Sequence, residues 1–137
     1  MKRKIVLASH GRLSEGLLDT ATMIIGDIPF ETEVYSLQPG KNADDYVKVL
    51  REEMITEREV EYVILTDLYG ASVFSAMYSC VEFENAKIFT GMNLNMLLSI
   101  CLEYPNPLSE ADIEKIIDDS REGIQIAKRN QDEKEEF

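Results

Sequence analysis

Apolar residues follow two spacings along this chain, and the two alternate. Ile5-Val6-Leu7-Ala8 and Tyr62-Val63-Ile64-Leu65 are short unbroken apolar runs, as expected of strands buried on both faces. Residues 4–8, 33–37, 62–65 and 86–90 therefore read as four strands. Between them apolar positions recur at helical spacing. Ser14 is placed to cap a first helix, whose Leu17, Leu18, Ala21, Ile24 and Ile25 share a face and which Gly26 stops. After the Pro39-Gly40 turn, Asn42 can cap a second helix, with Asp45 three residues on and Tyr46, Val47, Leu50 and Met54 inside. Phe74, Met77, Tyr78 and Val81 mark a third.

Gly91 breaks the fourth strand, and residues 94–102 read as a short buried helix that stops before Pro105 and Pro107. Ser109 and Asp112 form a capping-box pattern, with Leu108 and Ile113 placed as a hydrophobic staple. Ile113, Ile116 and Ile117 then face inward until Gly123. Ile124-Gln125-Ile126-Ala127 alternates as a short strand would, and continued helix fits it nearly as well. Residues 1–129 form one domain in this reading. Residues 130–137 are polar and acidic, an expected disordered tail.

Buried strands separated by helices require right-handed crossovers. The expected fold class is therefore α/β: a doubly wound, mainly parallel open sheet with helices on both faces. The common order for a small domain of this kind is 2-1-3-4, and ligands then sit where strands 1 and 3 end. Those ends carry His10-Gly11 and Thr66-Asp67.

Composition narrows the function classes. With 137 residues the chain suits one domain with a proper core. A net charge of −12 repels phosphate backbones and anionic lipid, which argues against nucleic-acid and membrane binding; it suits a basic protein partner, and equally plain solubility. No apolar stretch approaches the roughly 20 residues of a membrane span. Met1-Lys2-Arg3-Lys4 is followed by too few apolar residues for a secretory signal. Cys80 and Cys101 lie far apart in apolar segments, which suits free thiols in a reducing cytoplasm. With one histidine and no close cysteine pair, neither a metal site nor a cofactor is expected.

That one histidine is His10. An imidazole at a strand end is a usable nucleophile at neutral pH and can carry a phosphoryl group. A carboxylate from Asp67, on the neighbouring strand end, would accept one ring N–H, fix the tautomer and stabilise the cationic ring formed on phosphorylation. The bland alternatives are a solvated loop histidine and a strand-end aspartate that caps its own loop. Phosphoryl oxygens also need donors. Gly11 and Ser14 follow His10, and Gly70, Ala71 and Ser72 follow Asp67, both segments opening helices with small residues. Ser72 could equally be a helix cap. Arg12 could neutralise phosphate or simply be solvated, and Asn93 on the same rim reads as a cap.

These residues resemble a known family. The chain is similar, from about residue 3 to 129, to the IIA component of the mannose-type sugar phosphotransferase system. The resemblance is carried by Ile5-Val6-Leu7-Ala8-Ser9-His10-Gly11, by Leu65-Thr66-Asp67-Leu68-Tyr69-Gly70-Ala71-Ser72-Val73-Phe74, and by Thr90-Gly91-Met92-Asn93-Leu94-Asn95-Met96-Leu97. It implies that His10 takes a phosphoryl group from the histidine phosphocarrier HPr and passes it to a IIB component, with the membrane components IIC and IID further downstream. It implies Asp67 as the hydrogen-bonded partner, Ser72 at the site, and a homodimer that exchanges a short antiparallel C-terminal strand, here residues 124–127. Ala71, Val73, Ser75 and Asn95 depart from the family's usual glycine, proline, asparagine and proline. A related phosphotransfer subunit of dihydroxyacetone kinase is the alternative within this chemistry.

Three other classes fit less well. A receiver-type regulator also places an aspartate at Asp67 and a hydroxyl at Thr90. It needs an acidic pair after strand 1, where this chain has Ser9-His10-Gly11. A histidine phosphatase needs an arginine before the histidine and a second histidine. A flavodoxin-like module needs a longer, hydroxyl-rich loop than Gly11-Arg12-Leu13.

Overall fold

The computed structural model describes residues 2–129. Four parallel strands form one sheet in the order β2-β1-β3-β4. They are β1 Lys2–His10, β2 Glu31–Leu37, β3 Val60–Thr66 and β4 Ala86–Thr90. The helices are α1 Leu13–Ile25, α2 Ala43–Thr56, α3 Ser72–Met77, α4 Leu94–Glu103 and α5 Glu110–Glu122. The expected doubly wound class and strand order are those observed.

Alternation along the central strands divides the core in two. Ile5, Leu7, Val63 and Leu65 point to one face, where Ala21 of α1, Leu97 and Ile100 of α4 and Ile116 of α5 cover them. Val6, Ala8, Tyr62 and Ile64 point to the other, against Val47, Leu50 and Met54 of α2 and Val73 and Met77 of α3. Each valine, leucine, isoleucine or methionine among them, fully buried, stabilises the fold by about 1.5–3 kcal/mol before entropy is counted. Cys80 and Cys101 are buried free thiols within these layers.

β1 begins two residues before the expected start at residue 4, and its buried charges find partners. Arg3 is buried, donating through Nε to Glu61 at 2.9 Å, through Nη1 to the Tyr104 carbonyl, and through Nη2 to the Asn106 carbonyl at 2.7 Å. Lys4 lies 2.8 Å from Glu53 and 2.9 Å from Glu33.

Three expectations are corrected. Ser14 does not cap α1: Arg12 holds that position without a side-chain bond, and Ser14 lies buried inside the first turn. Ile24, assigned to the inner face of α1, is exposed. The third helix turns 3₁₀ at Tyr78–Glu82, which rotates Tyr78 and Val81 out to solvent. The strand expected at residues 124–127 is one exchanged with a second copy; in the single chain residues 124–128 are in neither strand nor helix, with Ile124 and Ile126 77% and 76% exposed. A strand exists only with a ladder partner, and among the described residues none of the four strands pairs with this segment. The caps at Asn42, Asn93 and Ser109 form, the last as a complete capping box. The tail expected at 130–137 lies outside the described residues.

Candidate functional site

The register pairs Ala8 with Thr66, so β1 and β3 run out side by side. β1 continues to His10, and Asp67 is the first residue beyond β3. Residues far apart in sequence thus become neighbours at the carboxyl edge of the sheet. Asp67 Oδ2 lies 2.9 Å from His10 Nδ1 and also accepts the His10 backbone N–H at 2.8 Å. Its other oxygen, Oδ1, accepts the Leu68 N–H at 2.9 Å.

Partial burial pushes the Asp67 carboxyl up. The hydrogen bonds from the His10 backbone and ring, the attraction of a charged ring and the Leu68 N–H outweigh it, and hold the group below the usual carboxylate range. An ionised carboxylate only accepts. The proton of a neutral His10 therefore sits on Nδ1, and Nε2 presents a lone pair. Ser72 Oγ lies 3.1 Å from Nε2 and donates to it. The Asp67 side chain is 10% exposed and the ring 47%, so the anchor is buried while Nε2 remains within reach of a partner.

Two turns hold this arrangement. Gly11 has φ +55° and gives its N–H to the Leu37 carbonyl at 2.9 Å. Gly70 has φ +81° in a turn closed by the Ala71 N–H on the Leu68 carbonyl at 3.2 Å. Both conformations favour glycine. Ala71, not Ser72, occupies the cap position of α3, so the Ser72 hydroxyl is left for His10.

The other expected phosphoryl donors are placed differently. The Gly11 and Ala71 N–H groups are spent on those two carbonyls, so the residues shape the site without donating from the backbone. Ser14 is fully buried. Its N–H goes to Ser9 Oγ at 2.8 Å and its hydroxyl to the Tyr35 carbonyl at 3.1 Å, away from the ring. Arg12 is exposed and pairs with Glu15 at 3.4 Å. Asn93 caps α4 and donates to the Ser120 carbonyl. The residue that sequence reasoning missed is Ser9, whose hydroxyl lies under the His10 turn; a hydroxyl just before a strand-end His-Gly was the available signal. A groove of about 580 Å³ lies elsewhere, along the outer edge of β4, lined by Phe89, Met96, Ile113, Ile117 and Ile124 among others.

Residues 4–117 match the family described as "PTS system fructose IIA component", EIIA-man. The chain belongs to the EIIA-man family. It is 26% identical over 133 residues to the "PTS system mannose-specific EIIAB component" of Escherichia coli (strain K12), a match covering 95% of this chain and 41% of that protein. The chain thus corresponds to about two-fifths of the length of that relative. A sorbose-specific EIIA component from Klebsiella pneumoniae is 24% identical, with 79% of this chain and 78% of that one covered. Among solved structures, the PTS IIA protein associated with the fucose utilization operon of Streptococcus pneumoniae superposes with a TM-score of 0.77 at 25% identity, covering 92% and 93% of the two chains. The EIIA component of Streptococcus agalactiae gives 0.77 at 27% identity, covering 90% and 96%. Among the described residues, no helix is long and apolar enough to cross a membrane.

Proposed function

We propose that His10 is the phosphoryl carrier of a cytoplasmic IIA protein, loaded by phospho-HPr and unloaded onto a IIB component that feeds the membrane components IIC and IID. The observation that carries this reading is the His10 ring itself, held by Asp67 at Nδ1 with Nε2 turned outward. Nε2 attacks the phosphorus of the donor's phosphohistidine. The new N–P bond forms as the donor's N–P bond breaks, and the donor nitrogen recovers its electron pair. His10 keeps its Nδ1 proton and becomes cationic, a charge the adjacent Asp67 carboxylate stabilises. The Ser72 hydroxyl, displaced from Nε2, turns to a phosphoryl oxygen, with the N–H groups of Gly70 and Ser72 as further donors. Transfer to IIB reverses these steps.

The test is incubation with phosphoenolpyruvate, enzyme I and HPr. One phosphoryl group per chain is expected, labile in acid and stable in alkali. It should be absent from His10→Ala, while full labelling of that variant would end the reading.

A homodimer is the second part of the proposal. β4 is an edge strand, Ile124 lines the groove along it, and Ile126 is exposed two residues further on. An edge strand with free backbone groups next to unpaired alternating isoleucines favours exchange of residues 124–127 with a second copy.

A further inference from the structure

We propose that Ser9 is a positioning residue for phosphoryl transfer, acting through the turn that carries His10. The proposal rests on the reading of His10 as the phosphoryl acceptor. Helix α1 starts without a side-chain cap, because Arg12 at the cap position points to solvent. Its first-turn N–H groups still need acceptors. Ser9 supplies one from the strand side of the turn: its Oγ accepts the Ser14 N–H at 2.8 Å, and its hydroxyl proton points to the Gly11 carbonyl at 3.3 Å. Ser9 and Ser14 are fully buried, so no water can take over the bond between them.

These two bonds close a loop around His10 and Gly11. Within it Gly11 keeps its left-handed backbone and donates to the Leu37 carbonyl of the neighbouring strand. Ser14 extends the tie, donating from its hydroxyl to the Tyr35 carbonyl. The His10 backbone is thus fixed from one side by the Ser9 hydroxyl and from the other by Asp67. Ring orientation follows backbone position, since Nδ1 and Nε2 each have one partner at hydrogen-bond distance. A hydroxyl at position 9 therefore does more than stabilise: it sets where Nε2 stands when a partner's phosphohistidine arrives. Displacement of a reacting atom by about 1 Å can cost roughly 10²-fold in rate.

The experiment compares Ser9→Ala, Ser9→Cys and Ser9→Thr with the wild type in transfer from phospho-HPr, with the full chain throughout. Ser9→Ala should lower kcat by roughly 10- to 100-fold with KM for phospho-HPr unchanged. The ¹⁵N signals of the single His10 ring should move away from the state with Nδ1 protonated and Nε2 free. Ser9→Thr, which keeps the hydroxyl, should restore both. Ser9→Cys, a weak acceptor of similar size, should fall between and replaces the alanine variant if that one does not fold. Wild-type kcat in Ser9→Ala or Ser9→Cys overturns the proposal. So does a slowed variant whose His10 ring signals match the wild type. A wild-type chain that accepts no phosphate overturns the reading of His10 instead, which keeps the two failures apart.

Discussion

One oxygen of Asp67 holds His10 at two points. Oδ2 accepts the backbone N–H at 2.8 Å and faces the ring Nδ1 at 2.9 Å. The carboxylate lies just beyond β3 and the histidine ends β1, so this oxygen joins two strands and aims the ring in the same act. The remaining ring nitrogen faces Ser72 and solvent. The tautomer of the ring is thus set by one side chain.

Replacing that side chain with a near-isostere separates shape from chemistry. Asp67→Asn can offer an N–H to Nδ1 and so favours the wrong tautomer. Phosphoryl transfer from phospho-HPr should fall by roughly 10²–10⁴-fold, by analogy with the aspartate–histidine pair of hydrolases. Stopped-transfer kinetics on a variant shown to be folded by circular dichroism checks this. A wild-type rate would reduce Asp67 to a loop cap.

Acid should undo the same bonds. The Asp67 carboxyl is held below its usual range, so its contribution to stability is complete above the ordinary carboxylate pKa and is lost as pH falls through the lowered value. Below about pH 4 the wild type should lose more stability than Asp67→Asn, which has no proton to take up there. Denaturant midpoints of both chains across this range measure the difference. Parallel loss in the two would show that the Asp67 bonds do not stabilise the fold.

At the opposite end of the sheet, Arg3 and Glu61 form a buried ion pair, with Glu61 also accepting the Leu108 N–H at 2.9 Å. Glu61→Ala leaves a buried guanidinium without its partner and should cost about 3–5 kcal/mol. The pair lies about 20 Å along the strand from His10, so transfer by the folded fraction should keep its rate. Unfolding curves together with transfer kinetics test both halves.

Dimerisation has its own test. The full chain should run as a dimer in light scattering at micromolar concentration, and deletion of residues 123–137 should give a monomer prone to aggregation through its open β4 edge. A monomer mass for the full chain would reject strand exchange without touching the His10 chemistry.

Much of this was legible in the sequence because the signals were local. Tyr62-Val63-Ile64-Leu65 has only one good solution, and a helix between each pair of strands forces the parallel order that joins His10 to Asp67. The misreadings have non-local causes. Ser14 has the chemistry of a cap, but Ser9 across the turn already accepts its N–H. The expected first strand starts at Lys4 and the observed one at Lys2, because the buried Arg3 finds Glu61 on another strand. Tyr78 and Val81 follow helical spacing, yet the change to 3₁₀ winding turns them outward.

The central claim is that Nε2 of His10 carries the phosphoryl group while Nδ1 keeps its proton on Asp67. Because His10 is the only histidine, a chain labelled with ¹⁵N-histidine gives the spectrum of one ring. After loading by phosphoenolpyruvate, enzyme I and HPr, that spectrum should show Nε2 bonded to phosphorus and Nδ1 still protonated. Phosphorus on Nδ1, or a ring unchanged by loading, would contradict the account.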